Sequence, residues 1–300
     1  MTSQPVIDIH IHMQPWETMK PDVLARMRAG HPDFEDLVAL SRDPQAFLRR
    51  LDDAGIERAG IINYTSPDLM GLDESSNEFS ARFCAEDPQR LLAFGSVHPR
   101  TSRDPEGDVE RLLDMGIRAL KLHPPHQLAA PNAYRDAAGG PGPLPSLAGI
   151  YRRAEALGLP LTIHTGTSVF PGARSVFGDP MGIDDVAVDF PDLTILLAHG
   201  GRPLWMEACF FLARRHPNVH LELSGIPPAR LLEWFPRLEA IASKTIFGTD
   251  WPGPGVPAPE RNIAAFKALP LSAVTLRAIL YDNARRLWNR LPQRPSGDRS

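Results

Sequence analysis

Apolar and polar positions follow two alternating patterns along this chain. Short runs rich in Val, Ile and Leu are followed by longer segments in which apolar residues recur at helical spacing. This order predicts parallel strands that are connected by helices. Eight strands are predicted, at Val6–His12, Ala59–Asn63, Leu91–Val97, Ile117–Leu122, Leu161–His164, Leu193–Ala198, Val219–Leu223 and Thr245–Gly248.

Each segment between these strands predicts a helix. The helices are Pro44–Ala54, Ser75–Asp87, Asp104–Met115, Leu147–Leu157, Asp184–Phe190, Trp205–Arg215, Pro228–Ala242 and Pro259–Ala268. Eight strand–helix pairs favour a closed (β/α)₈ TIM barrel over an open sheet. We expect a single domain over residues 1–291, with a C-terminal helical segment at Leu271–Leu291 and a frayed polar tail at 292–300.

The connections at the two ends of the predicted strands differ in length. Several helices end in a glycine-containing segment that leads directly into a strand, as in AGIERAGII, MGIRALKL and LGLPLTIH. The segments that follow strands 1, 4 and 5 are long, at Met13–Arg42, Pro124–Ser146 and Thr165–Ile183. Long loops on one face indicate the functional end of a barrel. The Ala-, Gly- and Pro-rich piece Pro124–Pro145 is a candidate lid or oligomer contact.

Composition narrows the class of partner. The net charge is -4, the pI is about 6.2, and basic residues are scattered rather than clustered, which argues against a nucleic-acid partner. The N-terminus does not resemble a signal peptide and no run of 18 apolar residues occurs, so we expect a cytoplasmic protein without membrane association. Cys84 and Cys209 are predicted to be buried free thiols. We expect a small-molecule partner, and a homodimer through the long loops is compatible with the sequence.

The first strand contains the motif Asp8-Ile9-His10-Ile11-His12. Strand side chains alternate between faces, so Asp8, His10 and His12 are expected to face the barrel interior, and Ile7, Ile9 and Ile11 to face the helices. Two buried imidazoles need either a metal or a hydrogen-bond network, and the motif alone does not decide between them. Asp8 is a candidate for orienting a ligand imidazole, with a simple buried polar contact as the alternative.

Further histidines and a carboxylate end later strands. His164 ends strand 5, His199 ends strand 6 and Asp250 follows strand 8, so all three are expected at the C-terminal rim with His10 and His12. Three imidazoles and one carboxylate, from His10, His12, His164 and Asp250, suit Zn²⁺, with Fe²⁺, Mn²⁺ or Co²⁺ as other occupants. The orientation of Glu222 and Ser224 on strand 7 stays open.

The motifs HIH, KLHP, IHTG, LLAHGG and FGTDWP, followed by ILYDNARRLW, resemble the amidohydrolase superfamily and specifically its amidohydrolase-2 branch. The resemblance implies that His10, His12 and His164 are metal ligands. It further implies that Asp250 is a ligand that also handles the proton of the metal-bound water, and that His199 is a catalytic acid/base or a second-metal ligand. The branch contains hydrolases, lactonases, hydratases and decarboxylases, so the reaction does not follow from the resemblance.

The role of Lys121 distinguishes a site for one metal from a site for two. Alternation on strand 4 directs Lys121 and His123 inward, and binuclear members of the superfamily have a carboxylated lysine on this strand. In that case Lys121, His164 and His199 complete a second metal site. We favour a single metal, with His199 acting on the substrate and Lys121 binding an anionic substrate group.

Two arginines and one histidine are secondary candidates. Arg174 and Arg202 are candidates to clamp a substrate carboxylate, with ordinary ion pairs as the alternative. His123 is expected to line the pocket or to stabilise a turn. We favour hydrolysis of an amide, lactone or ester by a metal-activated water. Non-oxidative decarboxylation of an aromatic or unsaturated acid is the alternative, and a non-catalytic metal-binding protein is the third interpretation.

Overall fold

The computed structural model describes residues 4–135, 143–253, 255–256 and 258–292. Eight strands form one sheet in which each strand pairs in parallel with the next along the chain. They are β1 Val6–Ile11, β2 Ile56–Ile61, β3 Leu91–Gly95, β4 Ala119–Leu122, β5 Leu161–His164, β6 Ile195–Ala198, β7 Val219–Glu222 and β8 Thr245–Ile246.

Helices connect the strands and follow the last one. They are α1 Pro21–Gly30, α2 Phe34–Arg42, α3 Pro44–Asp53, α4 Pro67–Met70, α5 Ser75–Ala85, α6 Pro105–Met115, α7 Pro124–Gln127, α8 Pro145–Ala156, α9 Gly182–Asp189, α10 Met206–Arg215, α11 Pro228–Trp234, α12 Pro259–Lys267, α13 Ala273–Arg277 and α14 Asn283–Trp288. Short 3₁₀ turns lie at Trp16–Thr18, Ser175–Gly178, His199–Gly201 and Leu238–Lys244, and a π-helix at Ala278–Asp282 links α13 to α14.

The segment that continues β8 brings the last strand back to the first. The amide of Ile9 donates to the carbonyl of Phe247 at 3.1 Å, and the amide of His12 donates to that of Trp251 at 2.8 Å. In the opposite direction, the amide of Asp250 donates to the carbonyl of His10 at 2.9 Å. The predicted (β/α)₈ TIM barrel is therefore confirmed, and its closure places Asp250 directly beside β1.

The predicted arrangement of β1 is wrong in one respect. Ile11 packs with the large cluster that lies between strands and helices. Ile7 and Ile9 instead pack in a second cluster, together with Phe94 and other strand residues. The cause is irregular pairing, because the register between β1 and β2 shifts between Val6 and Ile7 and again before Ile11. Strict alternation therefore does not hold along this strand.

The predicted glycine stops are confirmed. Gly55, Gly116 and Gly158 each have positive φ, of 71°, 106° and 66°, at the points where helices lead into β2, β4 and β5. Positive φ costs a residue with a Cβ about 1–2 kcal/mol, so glycine is the natural residue for these tight turns. Short glycine turns of this type join these three helices to the base of the barrel.

Three predicted connections differ in detail. The helix expected over Pro228–Ala242 stops at Trp234 because Pro236 lacks an amide hydrogen, and a 3₁₀ turn follows. The long segment after β1 is not an open loop, since it contains α1 and α2. The closing segment Leu271–Leu291 is not one helix, because the π-helix interrupts it.

Two predicted segments lie partly or largely outside the described residues. Part of the candidate lid, residues 136–142, and nearly all of the predicted tail, residues 293–300, lie outside the described residues. Cys84 and Cys209 are free and buried, as predicted. Among the helices of the described chain, none combines the length and the apolar character needed to cross a membrane.

Candidate metal centre and active site

The C-terminal ends of β1 and β8 bring two imidazoles to one carboxylate. His10 Nε2 lies 3.5 Å and His12 Nε2 lies 3.3 Å from Oδ1 of Asp250. Donor atoms of these three residues all lie within 4.8 Å of one another, and among the described residues no other group of three His, Cys, Asp or Glu side chains is as close. Three of the four predicted ligands therefore meet at one point.

The fourth predicted ligand, His164, lines the same cavity but is not part of this close trio. Its ring stacks on His123 with centroids 3.8 Å apart, and His123 stacks on His126 at 3.6 Å. On its other side His164 meets His199 edge-on at 4.6 Å. These histidines form one continuous wall that leads from the trio into the cavity.

Two site residues have strained backbones. His199 has φ +67° and Asp250 has φ +69°, values that residues other than glycine rarely adopt. Both residues directly follow a strand-end segment, so the chain turns sharply and their side chains line the cavity. Strain of this kind persists where the surrounding structure enforces it, which is typical of functional sites.

Asp250 is held in its ionised form. Burial by itself raises the pKa of this carboxyl, but its hydrogen bond with His12 and the charges around it, Arg202 included, lower the pKa to about 2. The guanidinium of Arg202 donates to Asp250 Oδ2 at 3.2 Å and to the carbonyl of Gly225 at 2.6 Å. The mouth therefore contains a permanent negative charge beside neutral imidazoles.

Burial keeps the histidines of the site neutral. It lowers the pKa values of His10, His164 and His199 well below the ordinary value, and nearby cationic groups such as Lys121 and Arg202 lower them further. A neutral imidazole has a lone pair on one ring nitrogen, which is the form that binds a metal. His10 and His164, two of the predicted ligands, are thus in the protonation state that ligation needs.

Lys121 and His123 face the cavity, as alternation on β4 predicts. Lys121 is buried, its Nζ has no hydrogen-bond partner, and desolvation lowers its pKa against the opposing effect of Glu222 and Asp250. The Nδ1 atom of His123 is also buried without a partner. Both side chains are therefore available to a bound molecule.

Glu222, rather than Asp8, contacts the imidazole of a predicted ligand. Glu222 Oε2 lies 2.8 Å from His10 Nδ1. Asp8 instead accepts from the amide of Thr249 at 2.9 Å, from its hydroxyl at 2.6 Å and from the amide of His10 at 3.1 Å. Of the two interpretations of Asp8, the structure agrees with the buried polar contact, because the irregular β1 directs this carboxylate to the neighbouring segment. Burial raises the pKa of Asp8 to about 7.

The two candidate arginines behave differently. Arg202 lines the cavity with its guanidinium against Asp250. Arg174 is exposed and is not among the residues that line the cavity, and its backbone amide donates to the carbonyl of Pro125 at 3.0 Å. The strand 5 loop turns at Ser175–Gly178, so Phe170 rather than Arg174 reaches the cavity. Arg174 is therefore not one of the residues that line the cavity.

A cavity of about 270 Å³ lies above the trio. It includes residues that sequence analysis did not single out, most clearly Tyr64, whose hydroxyl lies 2.9 Å from His126 Nδ1. His126 in turn lies 2.7 Å from the hydroxyl of Ser168. Apolar side chains complete the walls, namely Met19, Met27, Met70, Val169, Phe170 and Pro252. The cavity is small, polar at its base and apolar around its opening.

The residues present fit a divalent metal. His10 Nε2 and His164 Nε2 are buried and have no hydrogen-bond partner, which is costly unless another group binds them. His10 Nε2 also lies within 3.5 Å of an ionised carboxylate. Neutral imidazoles and a carboxylate are the donors that zinc and similar metals prefer.

The whole chain resembles known structures of one architecture. An uncharacterized TIM-barrel protein from Bordetella bronchiseptica is 23% identical, with TM-score 0.73 over 95% of this chain and 99% of that chain. A 2,6-dihydroxybenzoate decarboxylase from Rhizobium is 19% identical, with TM-score 0.63 and coverage of 95% and 99%. A candidate 2-pyrone-4,6-dicarboxylic acid hydrolase from Pseudomonas putida is also 19% identical, with TM-score 0.63 and coverage of 96% and 98%. At these identities the likeness establishes the fold alone.

No protein of curated function matches the chain. The family model described as Amidohydrolase, in contrast, matches residues 7–290, from β1 to the end of the helical closing segment. This match confirms the resemblance that the strand-end motifs indicate. The chain therefore belongs to the amidohydrolase family, a family of metal-dependent enzymes, in its amidohydrolase-2 branch.

Proposed function

We propose that this protein is a metal-dependent hydrolase that cleaves an amide, lactone or ester bond in a small substrate bearing a carboxylate. The observation that supports this most strongly is the ionised carboxylate of Asp250, which lies within 3.5 Å of the Nε2 atoms of His10 and His12. A base at this position is suited to accept a proton from an attacking water. Family membership supports an enzyme, and the choice of hydrolysis is our inference.

The metal ligands in this proposal are His10, His12, His164 and Asp250. A divalent ion bound by them lowers the pKa of water and polarises a carbonyl group. Zinc is the first choice for this donor set, with Fe²⁺, Mn²⁺ and Co²⁺ as alternatives. We infer one metal per chain, because the close group of donors among the described residues is a single trio.

The remaining roles follow from charge and position. As water adds to the carbonyl carbon, Asp250 accepts a proton from it, and the bond to the leaving oxygen or nitrogen then breaks. His199 delivers a proton to the leaving group. Since burial keeps this imidazole neutral, it first takes that proton up from solvent, and Asp250 returns the proton that it accepted to solvent. Lys121, Arg202 and His123 line the cavity and are assigned to binding the anionic part of the substrate.

Charge and size favour a small carboxylated substrate. The cavity of about 270 Å³ contains Lys121 and Arg202, and among the described residues that line it only Asp250 is acidic. Similar structures are named for 2,6-dihydroxybenzoate, 2-pyrone-4,6-dicarboxylic acid and 5-carboxyvanillate, all compact ring acids. These names support the substrate class without identifying the substrate of this chain.

A substrate panel tests the proposal. The zinc-loaded protein is incubated with carboxylated lactones, amides and hydroxybenzoates, and acid release on hydrolysis is recorded in parallel with carbon dioxide release. We expect hydrolysis of at least one compound, loss of that activity in His199→Asn, and a higher KM for the matching methyl ester of the substrate carboxylate. Carbon dioxide release without hydrolysis would instead establish decarboxylation, and zinc binding without any turnover would favour a non-catalytic metal-binding protein.

A further inference from the structure

We propose that Glu222 is a positioning residue that fixes the proton on Nδ1 of both His10 and His199. It acts on His10 directly and on His199 through Ser224. This inference rests on the proposed function, because it assigns the basic Nε2 atoms of the two imidazoles to the metal and to the reacting groups. It adds a residue of β7 to a site whose other proposed residues come from β1, β4, β5, β6 and β8 and the segments that follow them.

The contacts of Glu222 determine the proton on His10. Glu222 is fully buried, its Oε1 accepts from the amide of Ser224 at 2.7 Å, and its Oε2 accepts from the hydroxyl of Ser224 at 2.9 Å. His10 Nδ1 is the remaining neighbour, 2.8 Å from Oε2. Ser224 donates to both oxygens of Glu222, which favours the ionised carboxylate. An ionised carboxylate only accepts hydrogen bonds, so His10 donates from Nδ1. Its lone pair then lies on Nε2, the buried atom without a hydrogen-bond partner.

The same carboxylate acts on His199 through one hydroxyl group. Ser224 has a single hydroxyl hydrogen, and Glu222 accepts it. Toward His199 Nδ1, at 2.9 Å, the Ser224 oxygen can therefore only accept. The backbone carbonyl of Ser224 lies 3.0 Å from the same nitrogen and is also an acceptor. His199 is thus held with its proton on Nδ1, which leaves Nε2 as the basic nitrogen.

The two imidazoles therefore share one hydrogen-bond relay. Their rings lie 5.1 Å apart, and both Nδ1 atoms face the Glu222–Ser224 pair. For His10 the relay directs a lone pair toward the proposed metal. For His199 it means that Nε2 takes a proton before it can release one, which gives the order of the two proton transfers in the proposed reaction.

A glutamine at position 222 would break this pattern. Glutamine has one acceptor oxygen and one donor NH₂, whereas all three groups around Glu222 donate. If the NH₂ faces His10, the imidazole must move its proton to Nε2, where it blocks metal binding. Losing a group that orients a metal ligand typically weakens metal affinity by about 10–100-fold.

Asp8 provides a matched control. It is as buried as Glu222 and also accepts from three donors, the amide and hydroxyl of Thr249 and the amide of His10, but it contacts no imidazole ring. Asp8→Asn therefore makes the same chemical change at the same depth. Both variants are expected to lose stability, and only Glu222→Gln is expected to lose metal affinity.

The test is an equilibrium titration with Zn²⁺ against a competing chelator. We expect the dissociation constant of Glu222→Gln to rise by about 10–100-fold and that of Asp8→Asn to stay within about threefold of the native protein. Equal affinity in Glu222→Gln and the native protein would overturn the inference, and so would an equal loss in both variants. If the native protein itself does not bind Zn²⁺, the proposed function fails instead.

A second measurement applies even if Glu222→Gln does not fold. Two-bond ¹H–¹⁵N correlation spectra of the zinc-loaded native protein report which nitrogen of each imidazole bears the proton, and the spectrum of His199→Asn assigns the His199 signals. We expect Nδ1–H for His10 and for His199. A proton on Nε2 of His199 would overturn the relay.

Discussion

Buried polar side chains are hydrogen-bonded differently at the base and at the mouth of this barrel. At the base, where helices lead into strands, the chain satisfies its own backbone. The side-chain amide of Asn218 donates to the carbonyls of Phe190 and Leu193 at 3.0 and 3.1 Å, and that of Asn283 donates to the carbonyl of Thr245 at 2.6 Å. These bonds tie loops to strand ends.

At the mouth, polar side chains are buried without partners. The Nε2 atoms of His10 and His164, the Nζ of Lys121 and the Nδ1 of His123 have no hydrogen-bond partner. An unsatisfied buried polar group costs about 1–3 kcal/mol. Leaving these groups unpaired lowers the stability of the folded protein. It also leaves them free to bind an ion and a substrate.

The largest expected effect is the loss of the base at the mouth. Asp250→Asn removes the ionised carboxylate, so we expect kcat to fall by about 10³-fold, within the usual range for an acid/base group. Steady-state turnover on the compound identified in the substrate panel measures it. Asp184→Asn is the control, because Asp184 also lies 2.7 Å from a histidine, His216, but does not line the cavity. Retention of more than a tenth of the activity in Asp250→Asn would refute its role.

A pair of glycines sharpens the comparison between the two ends. Gly158 at the base and Gly225 at the mouth have nearly the same φ, +66° and +62°, so alanine costs each about 1–2 kcal/mol in the backbone. At Gly158 the new Cβ meets nothing within 4 Å. At Gly225 it would lie 2.6 Å from Asp250 Oδ2 and would press on the guanidinium of Arg202.

We therefore expect Gly225→Ala to lose at least as much thermal stability as Gly158→Ala, and only Gly225→Ala to lose activity. Gly225→Ala should reduce kcat/KM by about 10²-fold, because displacement of a catalytic group by about 1 Å has that effect. Gly158→Ala should leave kcat/KM unchanged. Thermal unfolding and steady-state kinetics on both variants measure this, and equal activity in the two would show that the position of Asp250 is not critical.

The smallest expected effects distinguish the two arginines. Arg202→Ala removes a cation beside Asp250 within the cavity, and we expect KM for the carboxylated substrate to rise by about tenfold. Arg174 is exposed and outside the cavity, so Arg174→Ala should change stability by less than about 0.5 kcal/mol and leave KM unchanged. The same kinetic assay tests both, and a larger effect of Arg174→Ala would show that its loop closes over the substrate.

The sequence predicts the fold and the rim residues well because both depend on local periodicity. Apolar runs define the eight strands, and a histidine or aspartate at the end of a run must lie at the mouth. Arg174 could not be placed in this way, because its loop is positioned by contacts such as the bond to Pro125 rather than by a repeating pattern. Tyr64 directly follows the predicted strand Ala59–Asn63, so periodicity places it at the rim, but a tyrosine there does not by itself indicate a metal or acid/base role.

The role of Glu222 depends on a register that the sequence does indicate in retrospect. Val219, Leu221 and Leu223 pack in the cluster between strands and helices, so the alternate residues Glu222 and Ser224 face inward. No local pattern identifies His10 as the partner of Glu222, because 212 positions separate the two residues. The choice between the two interpretations of Asp8 also depended on a distant segment, because the register irregularity in β1 is set by pairing with β2.

The central claim is that the mouth binds one divalent metal through His10, His12, His164 and Asp250. The most direct test is metal analysis of the protein after chelation, reloading with Zn²⁺ and gel filtration, with Lys121 checked for a carboxyl group by intact mass. We predict one equivalent of zinc per chain and an unmodified Lys121. Two equivalents with a carboxylated Lys121 would contradict the single-metal site, and no bound zinc would contradict the metal centre itself.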